Sequence, residues 1–173
     1  MTARKARAVA GSTAPVRGSS TLPADVVPER IVVFMLDGQR YALPIETVQE
    51  IQQLVAISGL PDASPAVIGV INLRGVVVAV VDLRLLVGLP SLEYGLRTPM
   101  LFVRTAKGLA ALIVDEVEDV MEVPEGSAQP PSPMYALSDR LLCVARLEIG
   151  MVFVFDIDRL VPREALEAAG GVS

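Results

Sequence analysis

The chain has 173 residues, of which 52% are hydrophobic and only 4% aromatic, with no Trp, no His and one Cys. That is apolar material for one domain or two small fused ones, with a core of Val, Leu, Ile and Ala whose β-branched members suit pleated strands. The composition removes the commonest general base and metal ligand and any intrachain disulfide, and the net charge of −5 is the wrong sign for a nucleic-acid binder.

The charge is unevenly spread. Residues 1–30 hold five bases (Arg4, Lys5, Arg7, Arg17, Arg30) against two acids, Asp25 and Glu29; the remainder carries 10 bases and 18 acids, a net of −8. An acidic body of that size disfavours contact with phosphate backbones. Mean hydropathy is +0.53, yet the longest charge-free run, residues 126–138, spans 13 residues and contains Pro130, Pro131 and Pro133. A membrane-spanning helix needs about 18 apolar residues, so direct membrane insertion is not expected. The bases at positions 4, 5 and 7 lead into a Gly/Ser/Pro-rich stretch and not an apolar one, which gives no secretory leader. A cytoplasmic location is expected by elimination.

In chain order, residues 1–28 are predicted to be a disordered tail, too poor in sustained apolar pattern to offset its ordering entropy. Residues 31–36 form a six-residue apolar run, Asp37-Gly38 a turn, and residues 39–43 a returning strand closed by Pro44. Ile45, Val48 and Ile51 are spaced by three, which predicts a short helical segment. Residues 55–58 suggest another strand and 60–65 a loop. Two apolar runs, 67–73 and 76–81, flank Arg74-Gly75 and predict a hairpin with Arg74 at its tip.

A second half follows from about Pro99. Strands are predicted at 100–103 and 109–114 with Lys107-Gly108 between them. Val114, Val117 and Val120 repeat the three-residue spacing. A loop covers 124–133, strands are expected at 141–147 and 151–155, and a short helix at 163–168 ends at Gly170-Gly171. The halves match each other: residues 45–51 lie on 114–120, and 69–87 lie without gaps on 143–161, pairing Leu73 with Leu147, Asp82 with Asp156 and Val87 with Val161. A duplication predicts an all-β protein with short helices, built from two packed barrels of about five strands each. The barrels are placed at about 31–90 and 99–161 within a body of 29–162, with strands exchanged between them, and 163–173 forms a C-terminal helix or tail. Each barrel is too small for a strong core alone, so the two should share apolar surface.

Nothing in the chain points to catalysis. Without His, no Ser-His-Asp or Cys-His set can form, and no phosphate-cradling GxxxxGK[ST] or GxGxxG occurs. Asp115, Glu116, Glu118 and Asp119 suit a solvated acidic face. Asp82 and Asp156, at matching strand ends, suit turn caps. Cys143 lies in an apolar run and reads as a small core residue. No catalytic, cofactor-binding or metal-binding residues are assigned, and an enzyme is not expected.

Residues 68–75, Ile-Gly-Val-Ile-Asn-Leu-Arg-Gly, followed by Val80-Val81-Asp82-Leu83-Arg84, resemble the characteristic stretch of the CheW family of chemotaxis coupling proteins. Residues 41–51 resemble its first hairpin, and residues 113–117 its matching second-half segment. The resemblance covers about residues 30–162. It implies two packed SH3-like barrels and a non-catalytic adaptor bridging two partners: the cytoplasmic tips of methyl-accepting chemoreceptors and the regulatory domain of a CheA-type histidine kinase. It also implies protein-interaction roles for Val48, Glu50, Ile51, Gly69, Asn72, Arg74 and Gly75. An equivalent adaptor in a pilus-motility or similar pathway fits the same residues, and a ligand-binding barrel module is the reading from another class. For single residues two roles stay open. Arg74 can reach a partner or close an internal ion pair with Asp82; Val48 and Ile51 suit either core or groove wall; Gly75 suits a turn needing φ > 0. Cys143 stands where the family often has Gly, so no kinase-facing residues are assigned in the second half.

Overall fold

A computed structural model of the chain describes residue 22 and residues 26–60 and 63–170. Most of the expected leading tail lies outside the described residues. The body is built of two sheets. Its strands are β1 (Arg30–Leu36), β2 (Gln39–Pro44), β3 (Val48–Gln53), β4 (Val67–Leu73), β5 (Val76–Asp82), β6 (Pro99–Thr105), β7 (Gly108–Ile113), β8 (Glu116–Glu122), the two-residue β9 (Ala128–Gln129), β10 (Leu141–Leu147) and β11 (Gly150–Phe155). One-turn helices α1 (Leu83–Leu86) and α2 (Ile157–Leu160) follow β5 and β11, and α3 (Arg163–Gly170) ends the described chain.

The sheet orders carry the duplication. The five-stranded sheet runs β3-β6-β7-β5-β4 and the other runs β8-β1-β2-β11-β10-β9. Apart from β9, the second order is the first with each strand replaced by its repeat mate. Each half gives its opening hairpin to the other half's sheet: β1–β2 lies between β8 and β11, and β6–β7 lies between β3 and β5. The insertions are stitched by parallel pairing, Ala42 with Val154 and Ala79 with Ala110. Neither sheet is contiguous in sequence, so neither half can complete a core alone.

The three-residue spacings that predict helices at 45–51 and 114–120 belong instead to strands. Only Ile45–Thr47 forms a 3-10 turn; β3 and β8 are extended. The cause is a β-bulge in each. Between Val48 and Glu50, Gln49 has no opposite partner on β6, and between Val117 and Asp119, Glu118 has none on β1. An extra residue shifts a period-two pattern locally to three, which imitates one helical turn. Residues 55–58 give no strand, only a bridge between Ser58 and Val70.

The core is shared. Phe34, Leu36 and Leu43 from the first hairpin pack in one buried cluster with Val81, Leu83, Leu101, Leu112, Leu141, Phe155 and Leu160. Phe155 stacks on Tyr41 at 5.1 Å between ring centroids and on Phe34 at 6.5 Å. α3 reaches back over β5 and β7, burying Ala165 and Ala169.

A polar joint ties the sheets together. Arg84, on α1, has a side chain only 7% exposed. Its guanidinium lies 2.5 Å from Asp115, where the chain passes from β7 in one sheet to β8 in the other, and 3.3 Å from Asp37 in the β1–β2 turn. The Asp37 backbone N–H donates to the same Asp115 carboxylate at 2.8 Å, and Arg84 Nε donates to the Pro90 carbonyl at 2.8 Å. Removing one member of a buried pair leaves the others unpaired and costs more than the pair contributes. Arg84→Ala is therefore expected to lower the unfolding free energy by about 3 kcal/mol, read as a fall in urea midpoint.

Candidate protein-interaction site

β4 and β5 are joined by the two-residue loop Arg74-Gly75, with Leu73 opposite Val76. Both loop residues have positive φ, 53° at Arg74 and 88° at Gly75, as a type I′ hairpin requires. Asn72 ties the loop: its Oδ1 accepts from the Gly75 N–H at 2.8 Å. Gly is suited to its position, but Arg is not, since left-handed backbone is costly for a residue with Cβ outside Asn and Asp. The side chain held there is 68% exposed.

Arg74 does not reach Asp82, at the far end of β5. It pairs with Glu50, its two terminal nitrogens donating to Oε2 at 2.6 Å and Oε1 at 3.1 Å. Gln52 donates to Glu50 as well. β3 and β4 are the two edges of the five-stranded sheet, so this fork closes the seam of the barrel. The Ser58–Val70 bridge closes it further along, with backbone bonds of 2.9 and 2.8 Å. Arg74 first, then Gln52, holds the Glu50 carboxyl below its ordinary value.

Gly69 has a different place from a partner-facing one: it is buried. A Cβ there would overlap the Ser58 carbonyl oxygen and the Ile57 side chain. Gly69 follows the β4 bulge at Ile68, and its repeat mate Cys143 follows the equivalent bulge at Leu142. β9 pairs beside Cys143 at Gln129–Val144, as Ser58 does beside Gly69, yet here a side chain is accommodated and fully buried. Burial pushes that thiol up to about 11, leaving it inert at neutral pH.

Of the remaining expected site residues, Val48 is half-buried against the shared core, while Ile51 is 46% exposed. Ile51 lines a groove of about 320 Å³ between the sheets, with Gln52, Gln53, Arg97 and Pro99 on one side and Asp115, Glu116 and Val117 on the other. The seven expected residues thus separate. Glu50, Asn72, Arg74 and Gly75 build one exposed rim; Ile51 faces the groove on the same strand as Glu50; Val48 and Gly69 support the rim from within. Asp82, read from the sequence as a turn cap, caps α1 at 2.9 Å; sequence reasoning missed Arg84 and the Ser91 and Tyr94 hydroxyls that donate to Asp82. The available signal was a charged pair, Asp82 and Arg84, directly following a fully apolar strand. Of the acids read as a solvated face, Asp115 is taken by Arg84 and Glu118 by Arg40 at 2.7 Å.

Two interlocked barrels with an arginine-tipped rim beside an inter-sheet groove define a β-scaffold. The CheW-like domain model matches residues 30–165, and the chain belongs to the CheW-like domain family. It is 29% identical to the chemotaxis protein CheW of Bacillus subtilis (strain 168), over 82% of this chain and 92% of the relative. It is 28% identical to that of Rhizobium meliloti (strain 1021), over 80% and 91%. Among solved structures, the scaffolding protein TtCheW from Thermoanaerobacter tengcongensis superposes with a TM-score of 0.72 at 30% identity, covering 78% of this chain and 92% of that one. The chain is accordingly a chemotaxis adaptor of the two-barrel, SH3-like type.

Two measurements check the rim. Because the folded Glu50 carboxyl is depressed, the pair persists above the ordinary carboxylate value of 4.5 and is lost as pH falls through the lowered one. An NMR titration of the Glu50 carboxyl should show its midpoint below 4.5, rising in Arg74→Ala. Gly69→Ala should destabilise the fold by about 1–3 kcal/mol, seen as a lower urea midpoint with unchanged slope.

Proposed function

We propose that this adaptor is non-catalytic and couples the cytoplasmic tips of methyl-accepting chemoreceptors to the regulatory domain of a CheA-type histidine kinase. One observation carries the reading: an arginine occupies a left-handed hairpin position that Asn or Gly would fill with less strain, and its head group is held outward by Glu50. Strain at an exposed position is a reason to look for function there. A solvent-screened ion pair of this kind contributes little, so Glu50 can release Arg74 to a receptor carboxylate or to carbonyls at a helix end at little cost. The fork is suited to paired bonds of that kind. Ile51 and the adjoining groove offer apolar surface to the same helix.

The protein acts in the cytoplasm, at the receptor array. Among the described residues no helix is long and apolar enough to cross a membrane, and no group of three or more metal-ligating side chains is found. Each contact is modest, and the many receptors and kinases of one array strengthen it by raising the effective concentration.

The test compares tagged wild type with Arg74→Ala in pull-downs from the source cell. Wild type should recover both a receptor and a CheA-type kinase. The variant should keep its melting temperature within a few degrees and lose receptor affinity tenfold or more, about 1.4 kcal/mol. A variant that unfolds makes Arg74 structural, and one that holds the receptor as well as wild type does removes Arg74 from the receptor site.

A further inference from the structure

The repeat mates Asp82 and Asp156 do the same local work and then diverge. Each accepts a backbone N–H two residues on and caps a one-turn helix, Asp82 from Arg84 at 2.9 Å and Asp156 from Asp158 at 3.1 Å. Asp156 is followed directly by α2 and α3. Asp82 is fully buried, and after α1 the chain makes an excursion over residues 88–98 that returns to it. The Ser91 hydroxyl donates to Asp82 Oδ2 at 2.7 Å, and the Tyr94 hydroxyl donates to the same oxygen. The Tyr94 phenol is pushed up to about 12 by burial and by that bond, so it remains a donor throughout the neutral range.

This excursion contacts both walls of the groove. At its start, Leu89 N–H donates to the Arg84 carbonyl at 2.7 Å, and the Pro90 carbonyl accepts from Arg84 Nε. The same guanidinium grips Asp115 at 2.5 Å, and Asp115 opens the groove wall that continues into Glu116 and Val117. At its end, Thr98 Oγ1 accepts from Gly95, the Thr98 carbonyl accepts from Leu54 N–H at 2.8 Å, and Arg97 and Pro99 line the opposite wall with Ile51. A small cavity of about 120 Å³ lies under it, lined by Asp82, Arg84, Tyr94, Thr98 and Asp115 among others.

The geometry points to residues 88–98 as a latch: the Ser91 and Tyr94 hydroxyls, closed on Asp82, hold Arg84 on Asp115 and so fix the width of the groove between the sheets. With the latch closed, the loop carbonyl at Pro90 keeps the guanidinium aimed across the joint. With it open, Arg84 loses that carbonyl, Asp115 loses its side-chain tether to α1, and the wall at Glu116 and Val117 shifts against the one carrying Ile51 and Arg97. Ser91 and Tyr94 are positioning residues here, and Asp82 is the pin. The device does not depend on what occupies the groove.

The test needs no partner. Spin labels on Gln53→Cys and Glu116→Cys, both exposed and one on each wall, report groove width by pulsed electron resonance; the buried thiol of Cys143 stays unlabelled. Ser91→Ala/Tyr94→Phe removes the two hydroxyl donors and leaves the ring in place. The expected result is a distance distribution at least twice as broad as in the latched protein, with an unchanged far-ultraviolet spectrum. Tyr135→Phe deletes a hydroxyl remote from the joint and should leave the width as it is. A distribution unchanged in the double variant overturns the latch, and so does equal broadening in Tyr135→Phe. Should the double variant fold poorly, Tyr94→Phe alone is read against the same two outcomes, with broadening beyond that of Tyr135→Phe as support.

Discussion

The Arg84 guanidinium sits where three pieces of chain converge: the end of β5, the β1–β2 turn at Asp37, and the crossing from one sheet to the other at Asp115. It is almost wholly buried, so its charge must be met locally or the joint fails. The shared apolar cluster presses the sheets together, but apolar contact is non-directional. The fork of Arg84 supplies direction, because planar paired donors fix angles as well as distances. Which residues face each other across the groove follows from that angle.

The strand order imposes a second constraint. Each half lends its opening hairpin to the other, so the two halves of the chain cannot separate without breaking the parallel seams at Ala42–Val154 and Ala79–Ala110. A scaffold made this way transmits load through backbone pairing and is not two domains on a hinge. The rim and the joint lie at opposite ends of one such strand: Arg74 opens onto β5 at Val76, and Asp82 closes it. Seven residues of strand, the last five of them buried, connect the exposed Arg74 loop with the contact that orients the sheets.

Much of this was legible in the sequence. The apolar runs at 67–73 and 76–81 around Arg74-Gly75 gave the hairpin because a two-residue loop with Gly has few alternatives, and the gapless match of 69–87 on 143–161 pointed to two like units. The bulges at Gln49 and Glu118 misled, since one unpaired residue turns strand spacing into a helical one. The Glu50–Arg74 pair joins residues 24 positions apart, across edges that meet only when the barrel closes. Gly69 shows the same limit: its lack of a side chain is explained by Ser58 and Ile57, which approach only after the turn beyond β3. Arg84 stood in plain view, but nothing local tells a buried arginine from a solvated one.

The proposed coupling requires that a receptor helix be received at the rim of Glu50, Asn72, Arg74 and Gly75 and along the groove beside Ile51. The most direct measurement is an NMR titration of the isotopically labelled protein with a soluble helical hairpin from a chemoreceptor's cytoplasmic tip. Amide shifts and line broadening should concentrate on residues 50–53, 72–76 and 115–117, with the outer face of β9 and β10 unaffected. Perturbations centred on β9 and β10, with the rim silent, would place the receptor elsewhere.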